Sequence, residues 1–179
     1  MLIKENSVLV VVDVQGRLAT LMHEAETLSK HLVAMVKGAR ELSLPILWVE
    51  QIPEKLGPTV PELTKELEGL QPISKKTFSC YRNQEFVDAL QATGRHQVLV
   101  VGIEAHICVY QTARHLHEAG FEVELVVDAV SSRTLENKNI ALEKLSSCGV
   151  SLTSVEMALF ELMETAEAPE FRTVAGFIK

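Results

Sequence analysis

The amino-acid sequence predicts one α/β domain over residues 1–179, a three-layer α/β/α arrangement around a six-stranded, mainly parallel sheet in the order 3-2-1-4-5-6. Short apolar runs alternate with longer amphipathic stretches along the whole chain, which is typical of a Rossmann-like sheet covered by helices on both faces. The first run, Val8 to Val12, is apolar at every position, as expected for a strand buried on both sides. The sequence contains no repeat or linker that would divide the domain.

The first half of the chain is predicted to hold three strands. After the first strand, apolar residues recur at helical spacing from Leu28 to Leu42, and Pro45 ends that helix before a second strand at Ile46 to Val49. Residues 51–74 are rich in proline and predict a long loop with one short helix near Pro61 to Leu67, followed by a short strand near Ile73 to Lys76. A loop of this length inside a compact domain is usually functional.

The second half predicts three further strands and the helices between them. The predicted strands are Gln97 to Val101, Glu122 to Val127 and Val150 to Thr153, and the predicted helices are Glu85 to Leu90, Ile107 to Ala119, Leu135 to Ser147 and Val155 to Met163. The last residues, Ala168 to Lys179, carry recurring apolar side chains. We expect this tail to pack on its own domain or on a second subunit, which favours a homo-oligomer.

Composition limits the classes of partner. The formal net charge is −7, which argues against nucleic acid or an anionic membrane. Residues 1–6 lack the features of a signal peptide, and no apolar run approaches the roughly 20 residues that cross a bilayer. Three cysteines without a C-x-x-C pair make a disulfide scaffold improbable. We therefore expect a cytoplasmic protein.

Three reactive side chains follow predicted strands. Asp13 ends strand one, Lys75 lies at strand three, and Cys108 comes just after strand four at the start of the next helix. In the predicted strand order these positions share the carboxyl edge of the sheet, where ligands of such folds bind. Each residue also has a structural alternative: a buried apolar cysteine, a loop-capping aspartate like Asp128 after strand five, and a solvated lysine beside Lys76.

Four segments resemble the isochorismatase-like hydrolases and occur in the family's order. Gly102-Ile-Glu-Ala-His-Ile-Cys-Val109 resembles the cysteine loop, Val12-Asp-Val-Gln15 the D-x-Q strand end, Lys75-Lys-Thr-Phe-Ser79 the K-x-x-[FY]-S segment, and Asp128-Ala-Val-Ser-Ser132 the turn after strand five. Glu50-Gln51 with Leu56-Gly-Pro-Thr-Val-Pro-Glu-Leu63 further resembles the isochorismatase-domain-containing sub-branch. The resemblance covers nearly the whole chain.

The resemblance implies a cysteine hydrolase. Cys108 would be the nucleophile, Asp13 the general base and Lys75 the electrostatic partner. Backbone N–H groups of Glu104 and Cys108 would form the oxyanion hole, with a cis peptide before Glu104. Gln15, Gln51, Phe78 and His106 are the candidate substrate-binding residues, although His106 also fits an ordinary loop histidine. From its place at a helix N-terminus and near a lysine, we expect Cys108 to be the most reactive of the three thiols.

No metal or other cofactor is expected. Trp48 to Ile73, where related nicotinamidases carry metal ligands, contains no histidine, and His115 and His117 point to different sides of a helix.

The predicted function is hydrolysis of a small amide-, ester- or related carbonyl compound. The alternative is a catalytically silent binding or scaffold member of the same fold. A dinucleotide-binding oxidoreductase is excluded because Asp13 to Leu18 holds one glycine, and the acidic composition gives a ribonuclease little support.

Overall fold

The computed structural model describes residues 1–178 and contains a six-stranded sheet in the order β3-β2-β1-β4-β5-β6. All five strand pairs are parallel, so the predicted order is confirmed and the sheet is parallel throughout. The strands are β1 Ser7–Val12, β2 Ile46–Gln51, β3 Ile73–Lys75, β4 Gln97–Ile103, β5 Glu122–Ser131 and β6 Ser151–Thr153.

Helices cover both faces of this sheet. Over the described residues they are α1 Gly16–Thr20, α2 Ala25–Glu41, α3 Pro53–Leu56, α4 Pro61–Thr64, α5 Gln84–Ala92, α6 Tyr110–Glu118, α7 Leu135–Ser147, α8 Val155–Met163 and α9 Phe171–Ile178. One apolar core lies between the sheet and α2, α8 and α9, and the other lies between the sheet and α5, α6 and α7. The two cores give the predicted three layers.

The central strand β1 explains why the sheet is buried on both sides. Each of its six side chains is buried, and those from Val8 to Val12 are completely inaccessible to solvent. Alternate residues enter opposite cores, with Leu9 and Val11 on one side and Val8, Val10 and Val12 on the other. Burying a valine side chain contributes about 1.5–3 kcal/mol, so an unbroken valine-rich run stabilises only a strand covered on both faces.

The C-terminal tail packs on its own domain. Within α9, Val174 is fully buried, and the ring of Phe171 meets that of Phe160 edge to face at 5.8 Å between centroids. Lys37 of α2 lies over the Phe177 ring. Of the two packing partners expected for this tail, the structure therefore provides the intramolecular one, and the tail gives no separate support for an oligomer.

Four strands, β1, β2, β4 and β5, are longer than the sequence predicts, and the extensions of β4 and β5 are irregular. β4 continues through Gly102 to Ile103, and β5 continues past Asp128 to Ser131. Their pairing shifts register, since Val100 pairs with Leu125 but Gly102 pairs with Val130. The apolar pattern does not reveal this irregularity, because the part of β5 where the register shifts contains the charged residue Asp128, which the sequence predicts to follow the strand. Asp128 is structural, since its Oδ1 accepts the Val155 N–H that begins α8 at 2.9 Å.

The predicted helix after β4 also begins differently. Residues Ala105–Val109 form a π-helical turn, and the α-helix α6 starts only at Tyr110. Cys108 therefore lies in a wide turn between strand and helix rather than at an α-helical N-terminus. In the 51–74 loop, the predicted helix near Pro61 is present as α4 followed by a 3₁₀ turn, and α3 is an additional short helix.

Gly102 provides a stability test of the close contact between β1 and β4. Its φ is +117°, and an added Cβ would lie 2.1 Å from the Val12 carbonyl oxygen. We expect Gly102→Ala to lower the free energy of unfolding by more than about 3 kcal/mol, because both the backbone conformation and the space exclude a side chain. The measurement is urea denaturation followed by circular dichroism.

Gly94 is the matched control. It also has a positive φ, +65°, but a Cβ added there would have no atom within 4 Å. Gly94→Ala should cost only about 1 kcal/mol, the usual penalty for a side chain in the left-handed region. Equal losses in the two variants would show that contact with β1 does not determine the requirement for glycine at position 102.

Candidate active site

The carboxyl edge of the sheet brings together the three reactive side chains that the sequence identifies. Asp13 follows the last residue of β1, Lys75 is the last residue of β3, and Cys108 lies in the turn after β4. Asp13 has a left-handed backbone with φ of +51°, which is uncommon for a residue other than glycine. All three side chains are buried, with residue exposures of 2%, 1% and 8% respectively.

Lys75 and Asp13 form a buried ion pair. The Lys75 ammonium donates to Asp13 Oδ2 at 2.7 Å, to Gln51 Oε1 at 2.5 Å and to the Thr77 carbonyl at 3.1 Å. These three bonds use all three hydrogens of the ammonium group. A fully buried charged lysine requires hydrogen-bond acceptors for its ammonium group, because transfer of an unpaired ammonium out of water costs several kcal/mol.

The second oxygen of Asp13 has no such partner. Asp13 Oδ1 is buried and has no hydrogen bond within residues 1–178. Burial raises the pKa of the Asp13 carboxyl, whereas the Lys75 charge and the interaction with the Cys108 thiol lower it, and burial prevails. Within the described residues, no hydrogen bond joins the Cys108 thiol to Asp13 Oδ1.

The surroundings of the Cys108 thiol favour its protonated form. Burial raises the pKa of this thiol well above its ordinary value, the Asp13 charge raises it further, and the Lys75 charge lowers it only in part. The Lys75 charge favours the thiolate, as the sequence leads us to expect, but burial and the Asp13 charge outweigh its effect on the Cys108 pKa. The physical reason is that Cys108 is buried beside a carboxylate and precedes α6 in a π-helical turn.

The cysteine loop is held by its glutamate. The Ile103–Glu104 peptide bond is cis, as the resemblance implies. The buried Glu104 carboxylate accepts from the Arg133 backbone N–H at 3.2 Å and from Arg133 Nε at 3.1 Å, while the Glu104 carbonyl accepts the Val109 N–H at 3.2 Å. The Glu104 N–H donates to no other group in the described chain.

The four candidate substrate-binding residues occupy different environments. The carboxamides of Gln15 and Gln51 are buried and bonded to protein groups, whereas the ring of Phe78 is 56% exposed beside Thr77, which accepts a bond from the Lys75 ammonium. His106 Nδ1 lies 2.9 Å from Ser132 Oγ, and its ring is partly buried. Contact of any of the four with substrate stays a prediction.

Two side chains that frame the site are absent from the sequence-based prediction. Cys80 is fully buried, and its N–H donates to Thr112 Oγ1 at 2.9 Å. Thr112 lies one helical turn after Cys108, so this bond holds the segment after Lys75 next to the cysteine loop. Burial raises the pKa of Cys80 to about 12. The i+4 spacing of a hydroxyl from Cys108 is the available sequence signal.

The third thiol has a cation that the sequence does not indicate. Cys148 is half-buried, and the Arg114 guanidinium contacts its sulfur.

Among the described residues, no group of three or more histidine, cysteine, aspartate or glutamate side chains is arranged to hold a metal ion. No helix within residues 1–178 is long and apolar enough to cross a membrane.

Removing the charge of Lys75 tests the ion pair. Lys75→Met should lower the free energy of unfolding by about 3–5 kcal/mol at pH 7, because it leaves the Asp13 carboxylate buried without its partner. Loss of the lysine also removes the two main causes that lower the Asp13 pKa, so that pKa rises further in the folded state. When a carboxyl has a raised pKa in the folded state, the protein loses stability as the pH rises above the pKa of that carboxyl in the unfolded chain, which is about 4.

The deficit of Lys75→Met should therefore grow between pH 5 and pH 8 in urea denaturation. Lys76→Met is the matched control, since the Lys76 side chain is exposed and only its backbone carbonyl bonds to Gln51. Its effect should stay within about 0.5 kcal/mol at every pH. Similar losses in both variants would contradict the assignment of the buried charge to Lys75.

Comparisons with known proteins identify the family and agree with the fold. Residues 7–157 match the isochorismatase domain family model. The chain is 37% identical over 183 residues to isochorismatase domain-containing protein 2A of Mus musculus, covering 99% of this chain and 85% of that protein. It is 36% identical over 184 residues to the secreted isochorismatase effector Isc1 of Phytophthora sojae, covering 99% and 87%.

Solved structures give the same result. A protein described as the MAR1 ribonuclease of Caenorhabditis elegans superposes with a TM-score of 0.92 at 35% identity, covering 99% of this chain and 91% of that one. YcaC of Escherichia coli, described as an octameric hydrolase of unknown specificity, shares the fold with a TM-score of 0.88 at 24% identity, covering 98% and 94%. The chain belongs to the isochorismatase family.

Proposed function

We propose that this chain hydrolyses a small amide-, ester- or related carbonyl compound with Cys108 as nucleophile, Asp13 as general base and Lys75 as the electrostatic partner. The supporting observation is the shared carboxylate. Asp13 binds the lysine through Oδ2 and keeps a buried Oδ1 without a hydrogen-bond partner in the described chain, beside a thiol. Such an oxygen is suited to accept the thiol proton.

The proposed reaction begins from the neutral thiol. Asp13 Oδ1 accepts the Cys108 proton as the sulfur attacks the substrate carbonyl carbon, and the raised pKa of Asp13 makes it a stronger proton acceptor than an ordinary carboxylate. The Lys75 ammonium balances the negative charge that moves to the sulfur. Protonated Asp13 then gives the proton to the departing amine or alkoxide, leaving a thioester at Cys108.

Water completes the cycle. Asp13 accepts a proton from the attacking water, the thioester carbon–sulfur bond breaks, and Cys108 regains its proton as the acid product leaves. In both halves the negative carbonyl oxygen is proposed to bind the N–H groups of Glu104 and Cys108. The Glu104 N–H, which has no partner in the described chain, supports this role, and the Arg133 bonds hold the peptide that carries it.

The substrate is proposed to be small and to need no protein-bound metal or other cofactor. Only 8% of Cys108 is exposed, which admits a compact electrophile more readily than a polymer. Phe78 and His106 are proposed to contact the substrate from the rim, together with the end of β2 at Gln51. Members of this family also cleave vinyl ethers, so the family relationship alone does not fix the bond.

Two other functions are weighed against hydrolysis. A silent binding protein would keep the fold, but it would not require a fully buried lysine, which is costly to retain in a core. Cleavage of RNA is suggested by the description of the C. elegans structure. The net charge of −7 disfavours binding to a phosphate backbone. No nucleic acid or membrane partner is therefore proposed.

The proposed compartment is the cytoplasm. Three free cysteines, two of them buried, suit a reducing environment. The P. sojae relative is described as secreted. A homo-oligomer is also proposed, supported by the octamer described for the E. coli protein.

A substrate screen tests the proposed activity. The protein should hydrolyse at least one compound from a panel of small amides, esters and vinyl ethers, and Cys108→Ala and Asp13→Asn should each lower kcat by at least about 10³-fold. Cys80→Ala is the matched control, because its thiol is buried in the same core but takes no part in the proposed steps; it should retain turnover.

Two further arms make the outcome specific. Dialysis against a chelator should leave the rate unchanged, since no metal takes part in the proposed steps. Turnover of a carbonyl substrate that survives Cys108→Ala would contradict the nucleophile. Cleavage of single-stranded RNA that is lost in Cys108→Ala, without activity on any small compound, would instead favour the ribonuclease.

The oligomer is tested by mass. Light scattering at micromolar concentration should give at least twice the monomer mass of 19.8 kDa. Truncation before α9 should not abolish association, because α9 packs on its own domain. A monomer over the whole concentration range would contradict the proposed assembly.

A further inference from the structure

Residues 52–60, here called the strap, cross the carboxyl edge of the sheet beside the triad. The first N–H of the strap, at Ile52, donates to the Lys75 carbonyl at 3.0 Å, and the last, at Val60, donates to the Val14 carbonyl at 3.0 Å. The strap is therefore tied both to the end of β3 and to the segment that follows Asp13.

The side chain of Gln15 is enclosed between the strap and β2. It is fully buried, its Nε2 donates to the Gln51 carbonyl at 3.1 Å and to the Gly57 carbonyl at 2.7 Å, and its Oε1 accepts the Gln51 N–H at 2.6 Å. All three partners are backbone groups. Both donor hydrogens of the carboxamide are used, so no donor is left for a substrate.

These bonds replace a missing strand. The pairing of β1 with β2 reaches Val12 and Val49, and the Asp13 N–H gives the last backbone bond to Val49 at 3.1 Å. The chain then turns away at Asp13. The Gln15 carboxamide offers one donor and one acceptor to both backbone groups of Gln51, as a neighbouring strand would.

Fixing Gln51 has a consequence for the lysine. The Gln51 side chain bonds to the Lys75 ammonium through Oε1 at 2.5 Å and to the Lys76 carbonyl through Nε2 at 3.0 Å. One of the three acceptors that hold the ammonium against Asp13 therefore depends on the position of the Gln51 backbone. Gln15 is thus connected to the Lys75–Asp13 ion pair through one residue, Gln51.

We propose that Gln15 is a positioning residue whose carboxamide acts as a substitute strand, fixing Gln51 and, through it, the Lys75 ammonium at Asp13. This role rests on the triad proposed above. It differs from a direct substrate contact, and the placement of the lysine can be measured at the Cys108 thiol without any turnover.

The test compares two buried glutamines. Gln15→Met keeps the side-chain length and removes all three bonds. Gln97→Met removes similar bonds at the opposite edge of the sheet, where the buried Gln97 accepts the Ile3 N–H at 2.7 Å and donates to the Met1 carbonyl at 2.9 Å. Both variants should lower stability. Only Gln15→Met should alter the pH profile of iodoacetamide labelling at Cys108, measured by peptide mass spectrometry from pH 6 to 10.

The direction follows from the lysine charge. Lys75 lowers the pKa of both Asp13 and Cys108, so a less firmly held ammonium moves the labelling profile to higher pH. We expect a shift of about 0.5–1 pH unit, which slows labelling at pH 7 by roughly 3- to 10-fold. In a Lys75→Met background, Gln15→Met should produce no further shift, since its effect acts through the lysine. If Gln15→Met does not fold, the shorter Gln15→Asn provides the same comparison.

The outcomes separate the two proposals. A profile unchanged from wild type, with a stability loss like that of Gln97→Met, would overturn the positioning role. A shift of equal size with and without Lys75 would overturn it too. If no substrate depends on Cys108 but the shift occurs as expected, the hydrolase proposal fails while the positioning role stands.

Discussion

The ion pair between Lys75 and Asp13 is the constraint on which the rest of the site depends. Both side chains are removed from water, and each would be strongly destabilising without the other. The ammonium uses its three hydrogens on an ionised oxygen, an amide oxygen and a backbone carbonyl. Such a pair requires hydrogen-bond acceptors that the fold holds in place. The strand ends, the strap and the segment after β3 are therefore arranged around the Lys75 charge.

The same burial raises the pKa of the Cys108 thiol, the proposed nucleophile. A thiol beside a carboxylate in a low-dielectric setting resists ionisation, and the nearby lysine offsets only part of that resistance. The pKa of the thiol and that of the Asp13 carboxyl therefore depend on each other and on the nearby Lys75 charge. In the proposed reaction the thiolate therefore forms only as the sulfur attacks the substrate, and Asp13 accepts the proton.

The sequence predicts the sheet and its reactive edge well, because both depend on local patterns. Apolar runs such as Val8 to Val12 identify buried strands, and polar residues immediately after them identify the carboxyl edge. The π-helical turn before α6 is not predictable in this way, since its residues are as apolar as those of an ordinary helix start. The role of Gln15 also escapes prediction, because its partners are backbone groups more than 35 positions away.

The close approach of β1 and β4 explains how a parallel sheet brings a carboxylate to a thiol. Val12 pairs with Gly102, and the absence of a side chain at Gly102 lets β4 remain in contact with β1 up to Val12, the last residue of β1. Immediately beyond that pair, β1 turns at Asp13 with a left-handed backbone while β4 continues to Ile103 and the cysteine loop. Any larger residue at Gly102 would separate these ends. The positions of Asp13 and Cys108, the proposed base and the proposed nucleophile, thus depend on one glycine that takes no part in the proposed chemistry.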